Sequence, residues 1–224
     1  MLENLKTVLE QIQNGNNLGE KITLVGATKT MPVDLINSAI QNGLNVVAEN
    51  KVQEFREKTG LIDKRAKQHF IGHLQTNKVK YLVGNVELIH SVDSVHLAEE
   101  INRVSIKKNT VQKILLEVNV GGELSKSGFN PNNLVDSAMH IFNELKNVEI
   151  KGLMAMLPHS DDENLLVQLC KKMRNDYDFL ISKGLPFEYL SIGMSNDYLI
   201  AIKNGSNTIR LGRTIFGQRN YGGN

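Results

Sequence analysis

Cysteine occurs once and tryptophan not at all in these 224 residues. The lone Cys170 excludes an internal disulfide, and its place in the helical run "LLVQLCKKM" reads as a core filler rather than a reactive thiol. A Cys/His metal cluster is excluded with it, and the six histidines show no H-E-x-x-H or other ligand spacing. Charge of one sign is missing too. The 26 Lys and Arg stand against 24 Asp and Glu, with no run of five or six like charges. Few aromatics interleave with the basic residues, so the balance argues against a nucleic-acid or membrane-surface binder and for a small-molecule partner. No stretch approaches the roughly 18 apolar residues of a membrane span. The opening "MLENLKTVLEQIQNGNN" has acids, amides and leucines at helical spacing, unlike a secretion signal or transit peptide, so a cytoplasmic protein is expected. No Pro/Gly/Ser-rich linker or low-complexity tract divides the chain, which reads as one domain over 1–224.

What is present is an alternation of short apolar runs with longer amphipathic ones. Strands are predicted at 22–27, 45–49, 69–72, 87–91, 113–119, 149–154, 188–192 and 207–211, and helical patterns lie between them, several closing on Gly or Asn. Eight such alternations predict parallel strands joined by crossovers, as in a (β/α)8 TIM barrel, with residues 1–18 as an added N-terminal helix. An open doubly wound sheet is the alternative, but no G-x-G-x-x-G follows the first strand.

A barrel places its chemistry at the C-terminal ends of its strands. The first strand runs into Lys29, where an amine removed from water and near other cations can become a nucleophile toward an aldehyde. "SIGMSND" puts Ser195 at an N-cap position after Gly193, and the next strand, in "IRLGRTIFG", offers Arg210, Gly212 and Arg213. Exposed N–H groups after strands seven and eight are a recurrent phosphate site of this fold. A lysine beside an anion site suggests either a phosphorylated aldehyde cofactor such as pyridoxal phosphate or a phosphosugar in an aldolase-like reaction. Each residue also has a plain reading: Lys29 as a solvated loop charge, Ser195 as a cap, the glycines as turns.

The motifs "LVGATKTMP", "AENKVQEF", "HFIGHLQTNK", "SKSGF", "GLMAM", "LSIGMSNDY" and "IRLGRTIFGQR" occur in order from Leu24 to Arg219. In these the chain resembles the pyridoxal phosphate homeostasis proteins, the YggS/PROSC-type group related in fold to the N-terminal barrel of alanine racemase. The resemblance implies that Lys29 holds pyridoxal 5'-phosphate as an internal aldimine, and that Ser195 with the backbone around Arg210, Leu211 and Gly212 receives the phosphate. The family's eighth-strand arginine falls on Arg210, facing either the phosphate or the ring nitrogen. Asn50, His73, Asn77 and Met156 match positions near the family's cofactor pocket; His73 reads equally as a cap or core histidine, and Met156 as a flexible wall. Lys126 matches a lysine that could serve as a second, transient aldehyde acceptor. The departures are Ala27-Thr28 for Val-Ser, Lys51 for arginine, and Arg213 for a small hydroxyl residue, which leaves an N–H or Thr214 to meet the phosphate.

A pyridoxal phosphate enzyme also needs positioned acid and base groups, which the racemases take partly from a tyrosine of a second domain. The chain ends about a dozen residues after the eighth strand, and its five tyrosines lie mainly in helices or at the tail, none in an obvious catalytic setting, with Tyr198 left open. The expectation is therefore a carrier or buffer in intracellular vitamin B6 homeostasis, with apo-enzymes of the same cofactor as acceptors. The alternatives are a weak racemase-like enzyme and a Schiff-base aldolase. A closed barrel has no free sheet edge, so a monomer is expected.

Overall fold

The computed structural model describes residues 1–122 and 127–217. Eight parallel strands close into a barrel in sequence order, β1 (Thr23–Ala27), β2 (Val46–Glu49), β3 (Lys67–Phe70), β4 (Leu88–Val92), β5 (Gln112–Val118), β6 (Val148–Ala155), β7 (Tyr189–Ser191) and β8 (Thr208–Leu211). β1 meets β8 at Val25↔Arg210 and β2 at Val25↔Val46. Every expected strand is present, with ends displaced by up to two residues.

Both faces of each strand are covered, which is why the strands read as apolar runs rather than alternating ones. Outward residues such as Leu24, Ile89, Ile114 and Leu190 pack beneath the helices. Inward ones form smaller clusters, Val25 with Val46 and Ala48, and Leu88 with Leu115 and Met154. The interior also holds buried polar side chains: His69, His90, Glu117, Ser191 and Arg210.

The covering helices are α1 (Leu2–Ile12), α2 (Val33–Gln41), α3 (Val52–Lys58), α4 (Val79–Leu82), α5 (Val95–Lys107), α6 (Leu134–Glu144), α7 (Glu163–Ser182), α8 (Tyr198–Lys203) and α9 (Arg213–Phe216). Their starts follow local chemistry. The Ser94 hydroxyl accepts the Leu97 N–H to cap α5, and the Asp162 carboxylate accepts those of Asn164 and Leu165 to cap α7. The N-terminal helix is shorter than the expected 1–18. It stops at Ile12 because Asn16 offers the backbone a better arrangement: its Oδ1 accepts the N–H of Leu18 and of Glu20, while Gly15 takes φ +77°. Among the described residues no helix is long and apolar enough to cross a membrane, and no group of three His, Cys, Asp or Glu is placed to hold a metal ion.

Candidate functional site

The loop that carries Lys29 is held from both sides. Thr28 is buried; its hydroxyl donates to Glu49 Oε1 at 2.7 Å, and its N–H donates to the Ala48 carbonyl at 2.9 Å. Lys58, from α3, donates to the Thr28 carbonyl at 3.0 Å, to Glu49 at 2.8 Å and to Glu54 at 3.1 Å. Glu54 in turn accepts the Thr30 N–H at 2.7 Å. Thr30 stands at φ +65°, an uncommon conformation for a β-branched residue, which persists only where its surroundings impose it. The run Thr28–Thr30 is therefore fixed by a buried carboxylate and an ammonium, and Lys29 projects from a rigid mount.

Burial pushes the Glu49 carboxyl above its ordinary range, opposed by the hydrogen bonds from Lys58 and Thr28. Its second oxygen, Oε2, is buried without a partner among the described residues. Lys58→Met would leave that carboxylate without its cation, so the substitution should destabilise the barrel by about 3 kcal/mol in urea unfolding. Adding Glu49→Gln should recover most of the loss, because the amide still accepts the Thr28 hydroxyl.

Lys29 lines a cavity of about 560 Å3 at the C-terminal mouth of the barrel, a size typical of cofactor pockets. Asn50 enters it from the exit of β2, Met156 from β6, Ser195 from β7, and Arg210 and Gly212 from β8. Asn50 Oδ1 is buried and unpartnered among the described residues. The β7 exit is shaped by Gly193 at φ +107°, where a Cβ would lie 2.9 Å from the Tyr198 Cα. The Gly193 carbonyl accepts the Arg210 N–H, and Asp197 Oδ1 accepts that of Met194 at 2.6 Å, which fixes the turn around Ser195. At Gly212 a Cβ would stand 3.3 Å from the Ala27 carbonyl oxygen, so glycine lets β8 lie close to the end of β1.

Arg210 is anchored to the barrel wall. Nη1 donates to both the carbonyl and the hydroxyl of Ser191 at 2.7 Å, and Nη2 to the Ala155 carbonyl at 3.0 Å. Burial pulls its pKa down to about 10, against the opposing charges of Glu117 and Asp197, so it remains a cation at neutral pH. Glu117 is pushed up, first by burial and then by Asp93.

Six of the eight expected site residues thus share one cavity. His73 and Thr214 are not on it. His73 lines neighbouring clefts, one of which it shares with Asn50, and sits 3.5 Å from an Asp93 carboxylate oxygen. Thr214 lies one residue deeper in α9 than the lining Arg213. Asn77 lies on the same side as His73. Lys126 lies outside the described residues. Sequence reasoning missed the Glu49–Lys58 clamp and Ser191. Ser191 was accessible from period: it alternates with the outward Leu190 and Ile192, and so must face the interior.

Residues 3–220 match the family model of the alanine racemase N-terminal domain. The solved alanine racemase of Clostridium difficile superposes with a TM-score of 0.80 at 16% identity, over 99% of this chain and 58% of that one, a likeness of fold. Fold and site together define the class, a racemase-type (β/α)8 barrel with a lysine at its first strand exit. The pyridoxal phosphate homeostasis protein of Aquifex aeolicus is 41% identical over 223 residues, 99% of this chain and 96% of the other. The structure of PipY from Synechococcus elongatus with PLP bound has a TM-score of 0.83 at 30% identity, covering 96% of this chain and 99% of that one. The chain belongs to the pyridoxal phosphate homeostasis protein family.

Proposed function

We propose that this protein binds pyridoxal 5'-phosphate in the Lys29 cavity and acts in vitamin B6 homeostasis as an intracellular carrier or buffer of that cofactor, as a single-domain monomer. The observation that carries the reading is the meeting of Lys29, on its clamped loop, with Ser195, Gly212 and Asn50 in one cofactor-sized cavity. The PLP-bound relative supports it independently. When bound, the cofactor supplies an aldehyde carbon that condenses reversibly with a primary amine. Lys29 is the amine. Ser195 and the backbone N–H groups at Gly212 and Arg213 receive the phosphate, and Asn50 offers a side-chain amide to a ring substituent.

Arg210 serves the ring rather than the phosphate in this reading. Its guanidinium is tied to Ser191 and Ala155, residues of the strands themselves, whereas Ser195, Gly212 and Arg213 stand beyond the strand ends. Arg210 keeps its own proton at neutral pH and so holds a ring nitrogen unprotonated, which suits storage better than carbanion chemistry.

The tyrosines also favour a carrier. Tyr198, on α8, donates its hydroxyl to Gln11 at 2.7 Å, Tyr177 bonds Asn207, Tyr81 lies among Arg56, Lys78 and Lys80, and Tyr189 lines a cavity at the opposite end of the barrel. None of these four lines the Lys29 cavity, and Tyr221 lies outside the described residues.

Ser195→Ala should weaken pyridoxal phosphate binding at least about tenfold, as for one lost hydrogen bond to a charged group, measured by absorption titration. Unchanged affinity would remove Ser195 from the phosphate site. Delivery is tested by loading an apo-enzyme from the holo-protein in the presence of a trap for free pyridoxal phosphate. Transfer that survives the trap supports a carrier; transfer that the trap abolishes reduces the role to buffering.

A further inference from the structure

Four polar side chains cross the barrel interior as a continuous chain. His69 Nδ1 lies 3.0 Å from His90 Nε2, His90 Nδ1 lies 3.2 Å from Ser191 Oγ, and Arg210 Nη1 donates to that same oxygen at 2.7 Å. All four residues are buried. Burial keeps both imidazoles neutral, His69 near 3 and His90 well below its ordinary value.

A neutral imidazole carries one N–H, so the chain runs in one of two directions. In the first, the Ser191 hydroxyl donates to His90 Nδ1, His90 Nε2–H donates to His69 Nδ1, and His69 keeps its proton on Nε2. In the second, His69 Nδ1–H donates to His90, and His90 Nδ1–H donates to Ser191 Oγ. The second loads Ser191 with donors from both Arg210 and His90 and leaves its own proton without an acceptor among the described residues. It also leaves the lone pair of His69 Nε2 unmet, since that atom has no partner among the described residues. The first direction orphans only the His69 Nε2–H. Buried polar groups are rarely left unpaired, so the direction with one orphan is favoured over that with two. Arg210, which can only donate, sets the polarity from the cavity end.

We propose that His90 is a positioning residue for the Lys29 cavity. As the Nε2–H tautomer it accepts a hydrogen bond from the Ser191 hydroxyl, turns a Ser191 lone pair to Arg210 and holds the guanidinium against β6 and β7, while His69 locks that tautomer from below. The tautomer stands on the interior geometry alone; its effect on the cofactor rests on the pyridoxal phosphate reading.

Two measurements separate these. Long-range proton–nitrogen correlation NMR on the ¹⁵N-labelled full chain at neutral pH should show both rings protonated at Nε2 alone. A His90 protonated on Nδ1, or on both nitrogens, overturns the proposal whether or not any cofactor binds. In the loaded protein, His90→Asn keeps an amide where Nδ1 met Ser191, whereas His90→Gln carries its amide toward His69. Release of pyridoxal phosphate from the Asn variant should stay close to wild type. The Gln variant and Ser191→Ala should release it at least about tenfold faster, the scale of one lost hydrogen bond to a charged group, with a displaced absorption maximum. Equal release from the Asn and Gln variants marks His90 as mere packing and sinks the proposal. Wild-type protein that takes up no pyridoxal phosphate fails the cofactor reading, and the NMR result still decides the tautomer.

Discussion

Lys29→Ala protein, mixed with pyridoxal phosphate and reduced with borohydride, should carry no adduct on the peptide that spans β1 and α2, where the wild type carries one per chain on Lys29. The loss should be complete, because the linkage needs a primary amine at one place. Lys29→Arg should fail equally: a guanidinium keeps its charge and is no nucleophile at neutral pH. The fold should survive both changes. The clamp on this loop is made by the neighbours of Lys29, through the Thr28 hydroxyl and carbonyl and the Thr30 N–H. The unfolding midpoint should therefore move little while the yellow colour disappears. Peptide mass spectrometry decides the matter. A stoichiometric adduct on another lysine of the wild type, or one that persists in Lys29→Ala, would overturn the covalent role.

The barrel was legible because its strands are buried on both faces. Runs such as "KILLEV" and "EIKGLM" carry too few polar residues for a half-exposed sheet, and the intervening helices announce themselves with Ser94, Asp162 and closing glycines or asparagines. Shorter elements were not legible. α9, four residues beyond Gly212, is too brief to show a period, and the end of α1 depended on a side-chain network around Asn16 that joins residues as distant as Gly205.

The site divides along the same line. Residues that follow a strand on its own face, such as Lys29 after Ala27 or Asn50 after Ala48, were readable, since the exits of a closed barrel converge. His73 was not, because its sequence position fits a cap as well as a contact; the chain turns at Gly72 and sends the imidazole toward Asp93, more than half exposed. Partners across the barrel were invisible for a deeper reason. His69, His90, Ser191 and Arg210 sit on four strands, and their meeting depends on barrel closure and register, which no local period records.

Gly72→Ala should be among the most damaging single substitutions in this protein, at about 3–5 kcal/mol of unfolding free energy. A Cβ at Gly72 would stand 1.8 Å from the Asn50 carbonyl oxygen and 2.6 Å from its carbon, and both are backbone. Neither segment can yield cheaply. The Ile71 N–H donates to the Glu49 carbonyl at 3.0 Å, and the Gly72 carbonyl accepts the buried Ser91 hydroxyl, so the exits of β2, β3 and β4 are tied together at this point. Relief requires Asn50 to move, and Asn50 lines the Lys29 cavity. Stability and pyridoxal phosphate affinity should therefore fall together, a coupling that a simple core defect far from the mouth would not produce. Gly60→Ala is the matched control, since a Cβ there meets nothing within 4 Å. Urea unfolding and absorption titration of the two variants decide the question: equal midpoints would show that β2 and β3 separate freely at their exits, and an unchanged affinity in Gly72→Ala would remove Asn50 from the cofactor's surroundings.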